Sequence, residues 1–233
     1  MNGYYYGYGS SLDLILLILG FVITLYAQIK VKATYSRYLK VQNDSGLTGF
    51  DVARKILDKN GLNNIHIVEV KGELTDHYDP SSKVVRLSTK VFHTSTIAAI
   101  SVAAHECGHA IQDKENYSFM RIRAKLVPFV NIINKFGYIA TIIGLIAGIF
   151  DVLICGIVMI IATLIFQLVT LPVEFDASNR AKKQIDKLKL ANSDEQKGVR
   201  KMLSAAAFTY VAGVLESIFQ LIRLILMYRD RDE

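Results

Sequence analysis

The chain has 233 residues, 52% of them hydrophobic and 21% charged, with a net charge of +6 and only two cysteines. Two distant cysteines argue against a disulfide framework and against a closed, cysteine-rich structural zinc site. The basic residues flank long apolar blocks, so membrane orientation accounts for the charge and nucleic acid is not an expected partner.

Residues 1–12 are rich in Tyr and Gly and carry no Lys or Arg. A secretory signal would open with a positive stretch, so no cleavage is expected there. Leu14 to Ala27 is almost wholly apolar and with its flanks reaches the roughly 20 residues of a membrane helix. Lys30, Lys32, Arg37 and Lys40 follow at once. That asymmetry predicts an N-terminus outside the cell and a cytoplasmic segment after the first span. The first unit is therefore 1–28.

A soluble α+β part is expected over 29–126. In "TGFDVARKILDKNGL", Thr48 reads as an N-cap, Val52, Ile56 and Leu57 share a face, and Gly61 stops the helix. "IHIVEV" alternates as a strand does, with Ile65, Ile67 and Glu69 on one face. Asp79-Pro80-Ser81-Ser82 reads as a turn before a strand at Lys83–Ser88. That strand is either a place where extended substrate pairs along a sheet edge or an ordinary hairpin against the core.

The string His105-Glu106-Cys107-Gly108-His109 comes next. Ile97, Ile100, Ala104, Gly108 and Ile111 recur at helical spacing, and Thr94 to Thr96 supply N-cap hydroxyls. Residues four apart share a helix face, so the imidazoles of His105 and His109 converge on one metal ion. Glu106 is then placed to take a proton from water activated there, which is zinc hydrolase chemistry. Ala103, Ala104, Gly108 and Ala110 let another segment approach closely. His66, His77 and His93 read as surface or hydrogen-bonding residues. Of the three, His77 is the strongest candidate for the chemistry because it precedes the substrate-strand candidate.

Arg121, Arg123 and Lys125 form a second basic cluster ahead of apolar blocks at 126–150 and 152–173. From 136 to 173 the run is nearly twice what one crossing needs. A transmembrane hairpin over 127–173 is expected, with its tip near Gly148–Asp151 and both ends in the cytoplasm. The hairpin returns the chain at "LPVEFDASNRAKKQ", the start of a unit over 174–203. Glu174 there is a candidate third ligand, completing a His₂Glu set with one position left for water. The plain alternative is an interfacial surface charge. Asp176 is the rival ligand; on a helix it faces away from Glu174, so the unused one becomes a hydrogen-bond acceptor around the site.

A charged helical stretch breaks near "ANSDEQKG" and leads to an apolar C-terminal unit, 204–233, that either spans the membrane or lies on it. Glu216, Gln220 and Arg223 fall on one face of it, a pattern read as helix packing in preference to a functional charge. Tyr210 is a candidate oxyanion donor, with a buried structural tyrosine as the alternative.

"AAHECGHAIQ" and "LPVEFDASNRA", with one span before and two between, resemble the YugP-like neutral zinc metallopeptidases of bacterial membranes. The resemblance extends to "DHYDPSSKVVRLS" and "AAAFTYVA". It implies a membrane zinc endopeptidase distantly related to the HtpX and CAAX-protease gluzincins. His105 and His109 would be ligands, Glu106 the base and Glu174 the third ligand. In the broader HtpX pattern an Asp follows that Glu by four residues. Here the place is Ser178, so its role passes to Asp176 or another residue.

The expectation is a mainly α membrane protein with a zincin-like α+β metalloprotease part. Its HExxH helix packs against three to four transmembrane helices. The cofactor is Zn²⁺, the bilayer is bacterial inner membrane, and the active site faces the cytoplasm. Substrates are membrane or membrane-adjacent proteins, and membrane-protein partners or a homo-oligomer stay open. The competing readings are a non-catalytic scaffold braced by a structural zinc, and a membrane adaptor without metal.

Overall fold

The computed structural model describes residues 11–147 and 151–229, with side chains described outside 134–153 and 227–229. The tip of the expected hairpin at 148–150 and the Tyr/Gly-rich start lie outside the described residues.

The chain runs α1 (Ser11–Tyr38), α2 (Gly49–Lys59), β1 (His66–Val70), β2 (His77–Asp79), β3 (Val84–Ser88) and α3 (Thr89–His93). It continues through α4 (Ile97–Lys114), α5 (Ser118–Ala147), α6 (Asp151–Lys187) and α7 (Ser193–Arg229). Among the described residues, three helices, α1, α6 and α7, carry segments long and apolar enough to cross a membrane. Leu14, Phe21 and Val22 of α1 and Val158 and Leu168 of α6 turn outward, as a lipid-facing surface requires. The protein is thus mainly helical, with a small sheet attached to long apolar helices.

Local signals explain the soluble elements. Thr48 caps α2 by accepting from the Asp51 backbone N–H, while Asp51 accepts from the Thr48 N–H. This reciprocal box satisfies two of the donors that every helix start leaves free. Gly61 follows the helix with φ +65°, a conformation that disfavours a Cβ. Asp79 accepts from the backbone N–H groups of Ser81 and Ser82, which closes the turn into β3. The sheet order is β1-β3-β2, with β1 parallel to β3 and β2 antiparallel. The parallel pair joins segments separated by β2, an arrangement that alternation along the chain does not reveal.

Thr96 caps α4 by accepting from the Ala99 N–H. Ile97, Ile100, Ala104 and Ile111 are all buried in a core shared with α2, β3 and the start of α7, and Gly108 is buried as well. Tyr78 of β2 donates to Asp113 at 2.7 Å and pins the sheet to the back of α4.

Two helices run across the unit boundaries at 173/174 and 203/204. The 37 residues of α6 extend about 55 Å, well beyond the roughly 30 Å hydrocarbon core. Positions 173 and 174 are therefore consecutive in one helix, which carries the apolar span directly into the ligand segment. In the same way α7 runs unbroken through 203 and 204. The break expected near "ANSDEQKG" falls between α6 and α7. There the Asn192 side chain accepts from the N–H groups of Asp194 and Glu195. In α7, Glu216 packs where Gly20 of α1 leaves room, its Cγ 3.5 Å from where a Cβ would sit, and Gln220 donates to Glu216.

Candidate metal centre

The site forms where α4 meets α6. A Cβ on Gly108 would lie 2.5 Å from the Ala177 carbonyl oxygen, so these two helices touch backbone to backbone through a residue without a side chain. Glu174 is one turn before Ala177 and thereby reaches the imidazoles of α4. Nε2 of His105 lies 3.3 Å and Nε2 of His109 3.5 Å from the same Glu174 oxygen, Oε2. The three ligand atoms all lie within 4.8 Å of one another.

That spacing fits zinc. Ligands bonded at about 2.0–2.1 Å in a tetrahedron sit about 3.4 Å apart, the separation found between the carboxylate and each imidazole. The donor set of two nitrogens and one carboxylate is that of a catalytic site with an open fourth position.

The outer nitrogen of each imidazole is held. His105 Nδ1 lies 3.2 Å from the Ser178 hydroxyl, and His109 Nδ1 lies 3.0 Å from Gln112 Oε1. The Gln112 amide donates to the Val173 carbonyl at 2.7 Å and to Asp176 at 2.9 Å. With its NH₂ thus committed, its oxygen is an acceptor, so His109 carries a proton on Nδ1 and Nε2 is the nitrogen that faces Glu174. Arg123 donates to the other Glu174 oxygen at 3.2 Å. Asp176 also accepts from Arg180.

Burial disfavours the imidazolium of His109, but hydrogen bonds to Glu174 and Gln112 and the charges of Glu174 and Glu106 outweigh it. Its pKa lies above the ordinary histidine value. Glu106 is buried at 7% exposure and lines a cleft of about 270 Å³ together with His105 and Tyr210. Cys107 points the other way, its thiol against the Ala53 carbonyl at 3.6 Å, and burial pushes that thiol's pKa up.

Among the candidates, His105, His109 and Glu174 come together, and Glu106 and Tyr210 border the same cleft. Asp176 does not join the cluster; it reaches His109 through Gln112. His77 stays out: its exposed ring faces the Thr75 carbonyl at 2.8 Å. His93 pairs with Glu69 at the surface. Ser178 itself holds His105 where an aspartate had been looked for, which relocates the expected substitute for that carboxylate. The sequence pattern does not mark Gln112 or Asp76 as site residues, and it marks Arg123 only as part of a basic cluster. Gln112 had one legible signal, its place three residues after His109 on the same helix face.

Residues 13–229 match the family described as "Putative neutral zinc metallopeptidase". The chain belongs to this family. It is also 45% identical over 212 residues to the "Putative membrane protease YugP" of Bacillus subtilis (strain 168), covering 91% of this chain and 94% of that protein. No solved structure matches. Family membership and the His105–His109–Glu174 cluster agree on a zinc metallopeptidase, and the three apolar helices agree with a membrane protein.

Proposed function

We propose that the chain is a membrane endopeptidase that hydrolyses peptide bonds of membrane or membrane-adjacent proteins from the cytoplasmic side. The observation that carries this reading is the place of the cluster, at the end of the apolar span of α6 where the sheet-bearing part begins. Orientation rests on charge. No Lys or Arg precedes Lys30, whereas Lys30, Lys32, Arg37 and Lys40 follow the first span and Arg180, Lys182 and Lys183 follow the hairpin. In this reading 1–28 is the first anchor, 29–126 the protease part and 127–173 the hairpin. Segment 174–203 brings the third ligand, and 204–233 closes the site from the membrane.

His105 and His109, through Nε2, and Glu174 would hold the zinc. When bound, zinc supplies Lewis acidity and water acidified to near neutrality. Glu106 accepts the proton from the attacking water and passes it to the departing amine. The Tyr210 hydroxyl donates to the carbonyl oxygen as negative charge develops there. Gln112 fixes the tautomer of His109 and Ser178 the orientation of His105, with Asp176 fixing Gln112.

The test is zinc content and cleavage of a denatured protein substrate by detergent-purified wild type beside Glu106→Gln. Wild type should hold about one zinc and cleave; the variant should hold zinc with activity reduced by about 10²-fold or more. Zinc without cleavage in both would favour a structural brace, and no zinc in either would favour an adaptor.

A further inference from the structure

The cleft beside the cluster contains a carboxylate that the hydrolysis does not use. Asp76 lies between β1 and β2, just after Gly72 (φ +109°) and Leu74 (φ +56°), whose left-handed backbone turns the chain sharply. Its carboxylate accepts from the Ser88 N–H at 2.6 Å and from the Ser88 hydroxyl at 3.1 Å. These bonds fix it at the end of β3, where it lines the same cleft as Glu106. The walls are Val31 of α1, Leu74, Val102 of α4, and Leu203 and Ala206 of α7.

Among the described residues no Lys or Arg lines this cleft. Burial raises the Asp76 pKa, the Ser88 bonds oppose that, and the charge of Glu106 raises it further. Glu106 faces the metal cluster through its neighbour His105, whereas Asp76 is held only by Ser88 and meets the apolar part of the cavity with no cationic side chain lining it, an arrangement that a cation relieves. At about 270 Å³ the cavity falls just below the range of drug-sized sites, about 300–1,000 Å³, and suits one long side chain.

We infer that this cleft is a specificity subsite for a basic residue of the substrate, its methylene stem against the apolar walls and its charged head on Asp76. Lysine and arginine have this construction, an apolar stem with a charged tip. The inference rests on the cytoplasm-facing protease reading and deepens it. Lys and Arg are enriched in the cytoplasmic segments beside membrane spans, where a site at the inner end of α6 would meet them. The substrate class is therefore membrane proteins cut next to their cytoplasmic basic flanks.

The test uses the zinc-loaded full chain in detergent with a mixed peptide library, cleavage sites being read by mass spectrometry. Wild type should enrich Lys and Arg about tenfold at one position within two residues of the cut. In Asp76→Asn that enrichment should fall to near unity with zinc content unchanged. Asp76 also anchors Ser88, so Leu74→Lys, at a 44% exposed position on the cleft, provides a second variant. By placing a cation at the cleft it should cut the enrichment severalfold. Cleavage by wild type with an apolar preference, or with a basic preference that both variants keep, overturns the subsite and leaves the protease reading standing. Failure of zinc-loaded wild type to cut any peptide overturns the protease reading, and the subsite with it.

Discussion

Gly108 is the position where a single carbon atom separates a metal site from a misaligned one. A Cβ there would sit 2.5 Å from the Ala177 carbonyl oxygen and 3.1 Å from its carbonyl carbon. Close carbon–oxygen contacts settle at about 3.3–3.6 Å, so Gly108→Ala requires α6 to retreat by about 1 Å. The retreat occurs three residues from Glu174 and one from Ser178, so both the carboxylate and the hydroxyl that hold His105 move away. Two stability effects oppose each other: overpacking costs about 1–3 kcal/mol, while alanine in place of glycine in a helix contributes about 1 kcal/mol. The net loss of fold stability is therefore small, of order 1 kcal/mol, whereas the ligand edges of 3.3 and 3.5 Å open beyond the roughly 0.2 Å a metal site tolerates. Zinc affinity should fall about 10–100-fold, the loss expected when the groups that hold metal ligands in place are displaced. Competition with a chromophoric chelator measures the affinity, and a thermal melt of the apo protein measures the fold. Gly213→Ala is the comparison, because its Cβ would meet the Gln167 amide at an ordinary 3.5 Å; it should leave zinc affinity at the wild-type value. Wild-type zinc affinity in Gly108→Ala would refute the close-packing argument.

Three further outcomes follow from the same geometry. Gln112→Leu removes the acceptor that fixes His109 Nδ1 and should weaken zinc binding about 10–100-fold, measured by the same chelator competition. Without zinc, the raised His109 pKa means that its ion pair with Glu174 stabilises the fold below the ordinary unfolded value of about 6.5. That contribution is lost as pH rises through the folded value. The same proton competes with the metal, so zinc affinity should decline with falling pH from an onset above about pH 6.5, approaching tenfold per unit. Calorimetric titration at stepped pH reads the onset, and an affinity that stays flat down to about pH 6.5 would contradict the raised His109 pKa. Ser82→Cys in a Cys155→Ser background should react with an impermeant thiol reagent only after the cells are opened; labelling of intact cells would reverse the proposed orientation.

The parts of the site that lie within one helix were legible from residue order. Thr96 as cap, the buried face from Ile97 to Ile111, and the pairing of His105 with His109 all follow from a 3.6-residue repeat and local hydrogen bonding. Glu174 was legible as a carboxylate where an apolar span returns to basic sequence. Gln112 acts through Val173 and Asp176, 61 and 64 positions away, and no short-range pattern encodes that contact. Asp76 was hidden for the same reason, since its partner Ser88 and its neighbour Glu106 lie in other elements. Ser178 was noticed as a departure, but a hydroxyl that does the work of a carboxylate is visible only once α4 and α6 are packed. The unit boundary at 173/174 marks a change of hydropathy, and α6 runs through it unbroken. Its backbone hydrogen bonds are indifferent to whether lipid or water surrounds them.

X-ray absorption at the zinc edge tests the central claim most directly, using wild type, Glu174→Ala and Asp176→Ala. Wild-type zinc should have two imidazole nitrogens and oxygen ligands at about 2.0–2.1 Å. Asp176→Ala should keep that shell at reduced affinity, and Glu174→Ala should lose zinc or exchange its carboxylate for water. A shell unchanged in Glu174→Ala, or one disrupted by Asp176→Ala in its place, would contradict the centre described between α4 and α6.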